Sequence, residues 1–177
     1  RRVLTLPAWD RASEVVYDLL VGHEVGHALY TDNIDWTIDY PEVPKDFVNV
    51  LEDVRVERLM KKKYPGLSRT FYNGYNDLNN DDFFLTKDED LNTLSFIDRI
   101  NLYYKIGAFH AIEFSDEENL FVTRAIQTET FEEVLNLSRE IVEFVKAKQK
   151  ESQSIPAPLA GNSEGGEEET QQSSDSG

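Results

Sequence analysis

His23-Glu24-Val25-Gly26-His27 is the stretch that decides how this chain is read. Residues four apart in a helix share one face, with Cβ atoms about 5–6 Å apart. His23 and His27 can therefore turn two imidazole nitrogens toward one ion at about 2.0–2.1 Å. Glu24, one step round the helix, would flank that ion. A metal-bound water has its pKa lowered to about 7, and a carboxylate beside it can take a proton and return it to a leaving amine. These are the mechanics of an H-E-x-x-H zinc motif. Val21-Gly22 before it and Ala28-Leu29 after it are uncharged, which places the motif in a buried helix, and it holds two of the chain's three histidines.

Working outward, Asp10 can N-cap this helix, and Val15, Val16, Leu19, Leu20 and His23 keep helical spacing to about Tyr30. Ahead of it, Val3-Leu4-Thr5-Leu6, closed by Pro7, reads as a short edge strand. Gly22 and Gly26 each cost roughly 0.5–1 kcal/mol relative to Ala in a helix interior. Either another backbone or a ligand approaches that face, or two helices pack tightly there. Residues 32 to 43 have no period, carry Asp32, Asp35, Asp39 and Glu42, and read as a loop able to cover a site.

Pro44 suits the first turn of a second helix running to about Tyr64, and Lys61-Lys62-Lys63 complements the negative end of its dipole. Phe47, Val50, Leu51 and Val54 form its apolar stripe, with Val48, Glu52, Arg55 and Leu59 on the adjacent face. From 64 to 92 the Asn, Asp, Gly and aromatic content suggests irregular structure. Asp77-x-Asn79-x-Asp81 opens like a calcium loop, but Asp82 and Asp88 stand where that loop needs Gly and Glu.

Three more helices are predicted, over about 93–111, 116–127 and 131–148. Ser115-x-x-Glu118 and Thr130-x-x-Glu133 are capping boxes that fix the last two starts. Phe96, Ile97, Ile100, Tyr103, Tyr104, Phe121, Ile126, Val134, Leu135, Ile141 and Val145 are the expected core. After Lys150 the chain turns to Gln, Ser, Pro, Gly and six carboxylates with no Lys or Arg, the composition of a disordered acidic tail or linker. The expected fold class is α+β and mainly helical, with one domain over 1–150 and the tail over 151–177.

With 18 Lys and Arg against 34 Asp and Glu, the formal charge is −16, which argues against nucleic acid or anionic membrane surfaces as partners. There is no cysteine, so any metal must be held by His and carboxylate. No run is apolar enough to span a bilayer, and Arg1-Arg2-Val3 carries neither an initiator Met nor a signal-peptide core. A fragment of a longer, soluble, cytoplasmic protein is expected.

A catalytic zinc site takes three protein ligands and keeps a fourth position open. The metzincin continuation would need Gly at 30 and His at 33, where the chain has Tyr30 and Asn33. The remaining choices are a carboxylate from the 32–42 loop, Glu52, Asp53 or His110. Glu52 is preferred, because helical backbone holds a ligand rigidly and an unpaired carboxylate on a semi-buried face is costly. Asp53, Arg55 and Glu57 then orient the ligands from behind. The ordinary reading of these charges is an exposed salt-bridge face. Tyr30, Tyr72, Tyr75 and His110 are chemically able to stabilise an oxyanion.

His23-Glu24-x-x-His27 followed by a helical Glu resembles the gluzincin metallopeptidases, whose third ligand is a Glu. The fuller pair is Gly22-His23-Glu24-Val25-Gly26-His27-Ala28-Leu29 with Asn49-Val50-Leu51-Glu52-Asp53-Val54-Arg55-Val56-Glu57. It resembles the metallopeptidase-like domain of cobaltochelatase T-subunit-like proteins, including versions carried by tailed phages. The resemblance implies a zincin-like fold, a Zn2+ ion on His23, His27 and Glu52, and Glu24 as the base in peptide hydrolysis. It implies a MoxR-like AAA+ ATPase as partner, an acidic linker leading to a von Willebrand A-type domain, and host cytoplasm for a phage-encoded version. The alternative it allows is a metal-stabilised interaction module working with that ATPase. Thermolysin-like gluzincins carry an Asp four residues after the ligand Glu, and the matching position here is Val56.

Overall fold

The computed structural model describes residues 3, 6, 9, 10 and 12–154. It is mainly helical, with α1 (Glu14–Tyr30), α2 (Lys45–Lys63), α3 (Leu67–Asn80), α4 (Phe96–Ile106), α5 (Asp116–Gln127) and α6 (Phe131–Ser154). No strand occurs among the described residues. Of the expected edge strand, Leu4 and Thr5 lie outside them, and Val3 and Leu6 adopt no regular structure.

Helix α2 is the axis of the fold and packs against all five other helices. Its first half supplies Val48, Leu51 and Val54 to a core shared with the start of α4 and with α5 and α6. Its second half supplies Val56 and Met60 to another core, shared with α1, α3 and the end of α4. Glu52, Arg55 and Glu57 sit between these apolar blocks and are buried. A buried charge is tolerated only when paired and hydrogen-bonded, so the seam between the cores has to be a polar network.

Several element boundaries differ from the sequence reading. The N-cap of α1 is Ser13, not Asp10: its Oγ accepts from Val16 N–H at 3.3 Å and donates to Asp77 Oδ2 on α3 at 2.6 Å. The segment expected to be irregular contains α3. Its Asn-rich sequence is a poor helix former, but Phe71, Tyr75 and Leu78 recur at helical spacing and bury against α1 and α2, and packing overrides propensity. Asp77 and Asn79 are helical, so no calcium loop forms there. Asp82 follows with φ 52°, and its Oδ1 accepts the N–H groups of Thr86 and Lys87, each at 3.0 Å.

Helix α4 is shorter than expected, because Ser95 caps it by accepting from Asp98 N–H and a 3-10 turn, Leu91–Thr93, precedes it. Both capping boxes form as expected, with reciprocal bonds between Ser115 and Glu118 and between Thr130 and Glu133. Of the expected core, Tyr103 is exposed, while Ile100, Val134 and Ile141 are fully enclosed. Helix α6 continues beyond Lys150 to Ser154, and the acidic tail from 155 lies outside the described residues.

The two glycines of α1 play different parts. A Cβ at Gly26 would lie 2.5 Å from Val56 Cγ1 and 2.8 Å from Met60 Cγ, whereas one at Gly22 would meet only ordinary contacts with Phe71 and Leu67 at 3.5 Å or more. Tight packing against side chains, and neither a backbone nor a ligand, explains Gly26. Val56 is β-branched and cannot swing aside. We therefore expect Gly26→Ala to lower stability by about 1–3 kcal/mol through overpacking. Gly22→Ala should raise it by roughly 0.5–1 kcal/mol through helix propensity. Urea unfolding of the two variants checks the contrast.

Candidate metal centre

Helical spacing on α1 brings His23 and His27 side by side, with ring centroids 4.6 Å apart. Helix α2 crosses α1 so that Asp53 meets both rings. Its Oδ1 lies 2.9 Å from His27 Nε2 and 3.5 Å from His23 Nε2. Two ligands held at about 2.0–2.1 Å on a tetrahedral ion stand about 3.3 Å apart, and these separations bracket that value. One ligand atom from each of His23, His27 and Asp53 falls within 4.8 Å of the others, so the three could hold a metal ion. Imidazole and carboxylate donors of this kind suit first-row transition metals, zinc among them.

The outer nitrogens decide the protonation of the rings. Thr31 Oγ1 donates to Glu52 Oε1 at 2.7 Å, so toward His27 it is an acceptor, and His27 Nδ1–H donates to it at 2.9 Å. His23 Nδ1–H donates to Glu57 Oε1 at 3.0 Å, and the Tyr75 hydroxyl donates to the same oxygen. Each neutral ring has then spent its only proton away from Asp53. Two lone-pair nitrogens facing one carboxylate oxygen repel unless further protons or a cation lie between them.

The electrostatics favour positive charge at that point. Burial works against a charged His23, but its bond to Glu57 and the charges of Asp53 and Glu57 outweigh it and raise its pKa. Burial would likewise raise the Asp53 carboxyl, yet the bond to His27 and the charges of Lys105 and His23 hold it at about 2. Asp53 is therefore an ionised acceptor at neutral pH. Burial and the charge of Glu57 push Tyr75 well above its ordinary value, so its hydroxyl stays a donor.

Glu52, the expected third ligand, is occupied elsewhere. Arg55 Nε donates to its Oε2 at 2.9 Å, and Arg55 NH2 and Thr31 donate to its Oε1 at 2.5 and 2.7 Å. It is 2 % exposed and reaches the imidazoles only through Thr31. Asp53, considered from sequence but ranked below it, is the carboxylate at both rings. Glu57, four positions after Asp53, holds His23 through its Nδ1. Arg55 also donates to the carbonyls of Tyr30 at 2.7 Å and Glu129 at 3.1 Å, tying the end of α1 to the α5–α6 turn.

Glu24 is exposed on α1, on the same helix as both imidazoles. Of the oxyanion candidates, Tyr75 stands behind His23 through Glu57, while His110 and Tyr72 lie elsewhere. His110 Nε2 bonds Asn79 Oδ1 at 2.6 Å, and Tyr72 packs on Phe109. The 32–43 loop packs on α6 through Tyr40, Asn136 and the Glu42–Arg139 pair. Sequence reasoning missed two participants. Thr31 was detectable, because it lies four residues after His27 at the helix end. Lys105, whose Nζ lies 2.9 Å from Asp53 Oδ2, was not, because only the docking of α4 brings it there.

The geometry separates the two neighbouring carboxylates by experiment. Asp53→Asn should weaken zinc binding by more than the about 10–100-fold typical of groups that merely orient a ligand, while the metal-free protein still folds. Glu52→Gln breaks a buried ion pair and should cost about 3–5 kcal/mol of stability, with the smaller effect on affinity. Chelator competition and urea unfolding measure the two quantities; equal zinc affinity in Asp53→Asn and wild type would place the ligand elsewhere. No protein-family model, curated protein or solved structure matches this chain.

Proposed function

We propose that this chain is a zinc-dependent peptidase of zincin-like type, with His23, His27 and Asp53 as metal ligands and Glu24 as the acid–base group. The observation that supports this reading above all is the convergence of two oriented imidazoles on one ionised carboxylate oxygen, with a solvent-facing Glu one residue along from the first imidazole.

When bound, zinc supplies a water acidified to a pKa of about 7 and a Lewis acid for the scissile carbonyl. The residues of the chain divide the remaining work. Glu57 and Thr31 fix the rings with Nδ1 protonated, leaving Nε2 as the free donor on each. Glu24 accepts a proton from the attacking water and delivers it to the leaving amine, a contribution of about 10²–10⁴-fold in rate. Its exposure leaves it open to substrate.

The reading extends to the resemblance with cobaltochelatase T-like domains and to a MoxR-like AAA+ ATPase as the partner that presents substrate. No described helix is long and apolar enough to cross a membrane.

Purified protein should carry close to one zinc per chain. Glu24→Gln should keep the metal and lose at least about 100-fold in peptide cleavage. Wild-type protein that holds zinc yet stays inert toward a diverse peptide library, with its ATPase present, would show a metal-stabilised module instead of a peptidase.

A further inference from the structure

We propose that Lys105 is a positioning residue of the metal centre: by holding Oδ2 of Asp53 it confines that carboxylate to one ligating oxygen, so the coordination shell stays open. The inference rests on the metal-centre reading above and adds what kind of centre it is.

A carboxylate can bind a cation through one oxygen or through both. In this fold the two oxygens of Asp53 have different partners. Oδ1 faces the imidazoles, at 2.9 and 3.5 Å, while Oδ2 accepts from Lys105 Nζ at 2.9 Å. For Asp53 to bind through both oxygens it would have to break that bond and leave an ammonium largely buried, since only 17 % of the Lys105 side chain is exposed. The backbone of Lys105 is held in place. It is carried on α4 between Leu102 and Ile106, both buried in the second core, and α4 is packed against α2.

The sign of the charge separates this role from simple support. An ammonium beside a ligand draws negative charge away from it and repels a cation, so Lys105 works against metal affinity. What it provides is a single-oxygen ligand and a more electrophilic ion. A residue kept only to brace the site would have the opposite effect, and its loss would weaken binding.

The test uses the whole chain as Lys105→Met and Lys105→Arg, loaded with Zn2+ or Co2+. Lys105→Met keeps the length and loses the charge. It should bind Zn2+ several-fold more tightly in chelator competition, and its Co2+ visible absorption should fall by about half or more as Asp53 adds its second oxygen. Lys105→Arg, which can still hold Oδ2, should keep the wild-type spectrum. If Lys105→Met fails to fold, Lys105→Ala, a strong helix former, carries the same comparison. A wild-type Co2+ spectrum in the neutral variant, or weaker Zn2+ binding, overturns the role of Lys105 and leaves the metal centre standing. Wild-type protein that takes up neither ion overturns both.

Discussion

The close passage of α1 over α2 at Gly26 is the constraint on which the centre depends. Gly26 stands between the two imidazoles in sequence, and Val56 and Met60 occupy the space its missing Cβ would fill. Asp53 is one turn before Val56 on α2, so the depth of that contact sets how near its carboxylate comes to His23 and His27. A larger residue at that contact would push the two helices, and with them the donors, apart. The apolar packing of one turn is thus the ruler for the polar geometry of the next.

Around that contact the charges are arranged in two lines, one behind each ring. Behind His27 run Thr31, Glu52 and Arg55; behind His23 stand Glu57 and Tyr75. Both lines end in buried groups, Arg55 at the seam and Tyr75 in the second core, and both hold the outer Nδ1 of their ring. Burying three charged residues on one helix costs free energy that apolar side chains would not. The return is orientation, because a ring held by a partner fixed in a packed interior has one tautomer and one direction.

The helices and the motif were legible because they are written in local spacing. The apolar period, two capping boxes and the pair of histidines gave α2, α5 and the candidate metal-binding face of α1 directly. Helix α3 was not, since its Asn-rich composition speaks against a helix and only burial of Phe71, Tyr75 and Leu78 makes it one. The choice between Glu52 and Asp53 was lost for a related reason. Adjacent residues on a helix differ by about 100° in direction, and which of them meets a neighbouring helix is set by interhelical register, which spacing within one helix does not encode. Lys105 has no local signal at all, and the edge strand expected before α1 is absent from the described residues.

The reach of Arg55 has a consequence for how small a working unit of this chain can be. Its guanidinium joins the last turn of α1 to the carbonyl of Glu129 between α5 and α6, while Tyr75 comes from α3 and Lys105 from α4. An excised α1–α2 hairpin would own all three donor groups and almost none of what aims them. The candidate centre is a property of the described helices together, and trimming any of α3 to α6 would disturb donor groups that the cut never touched.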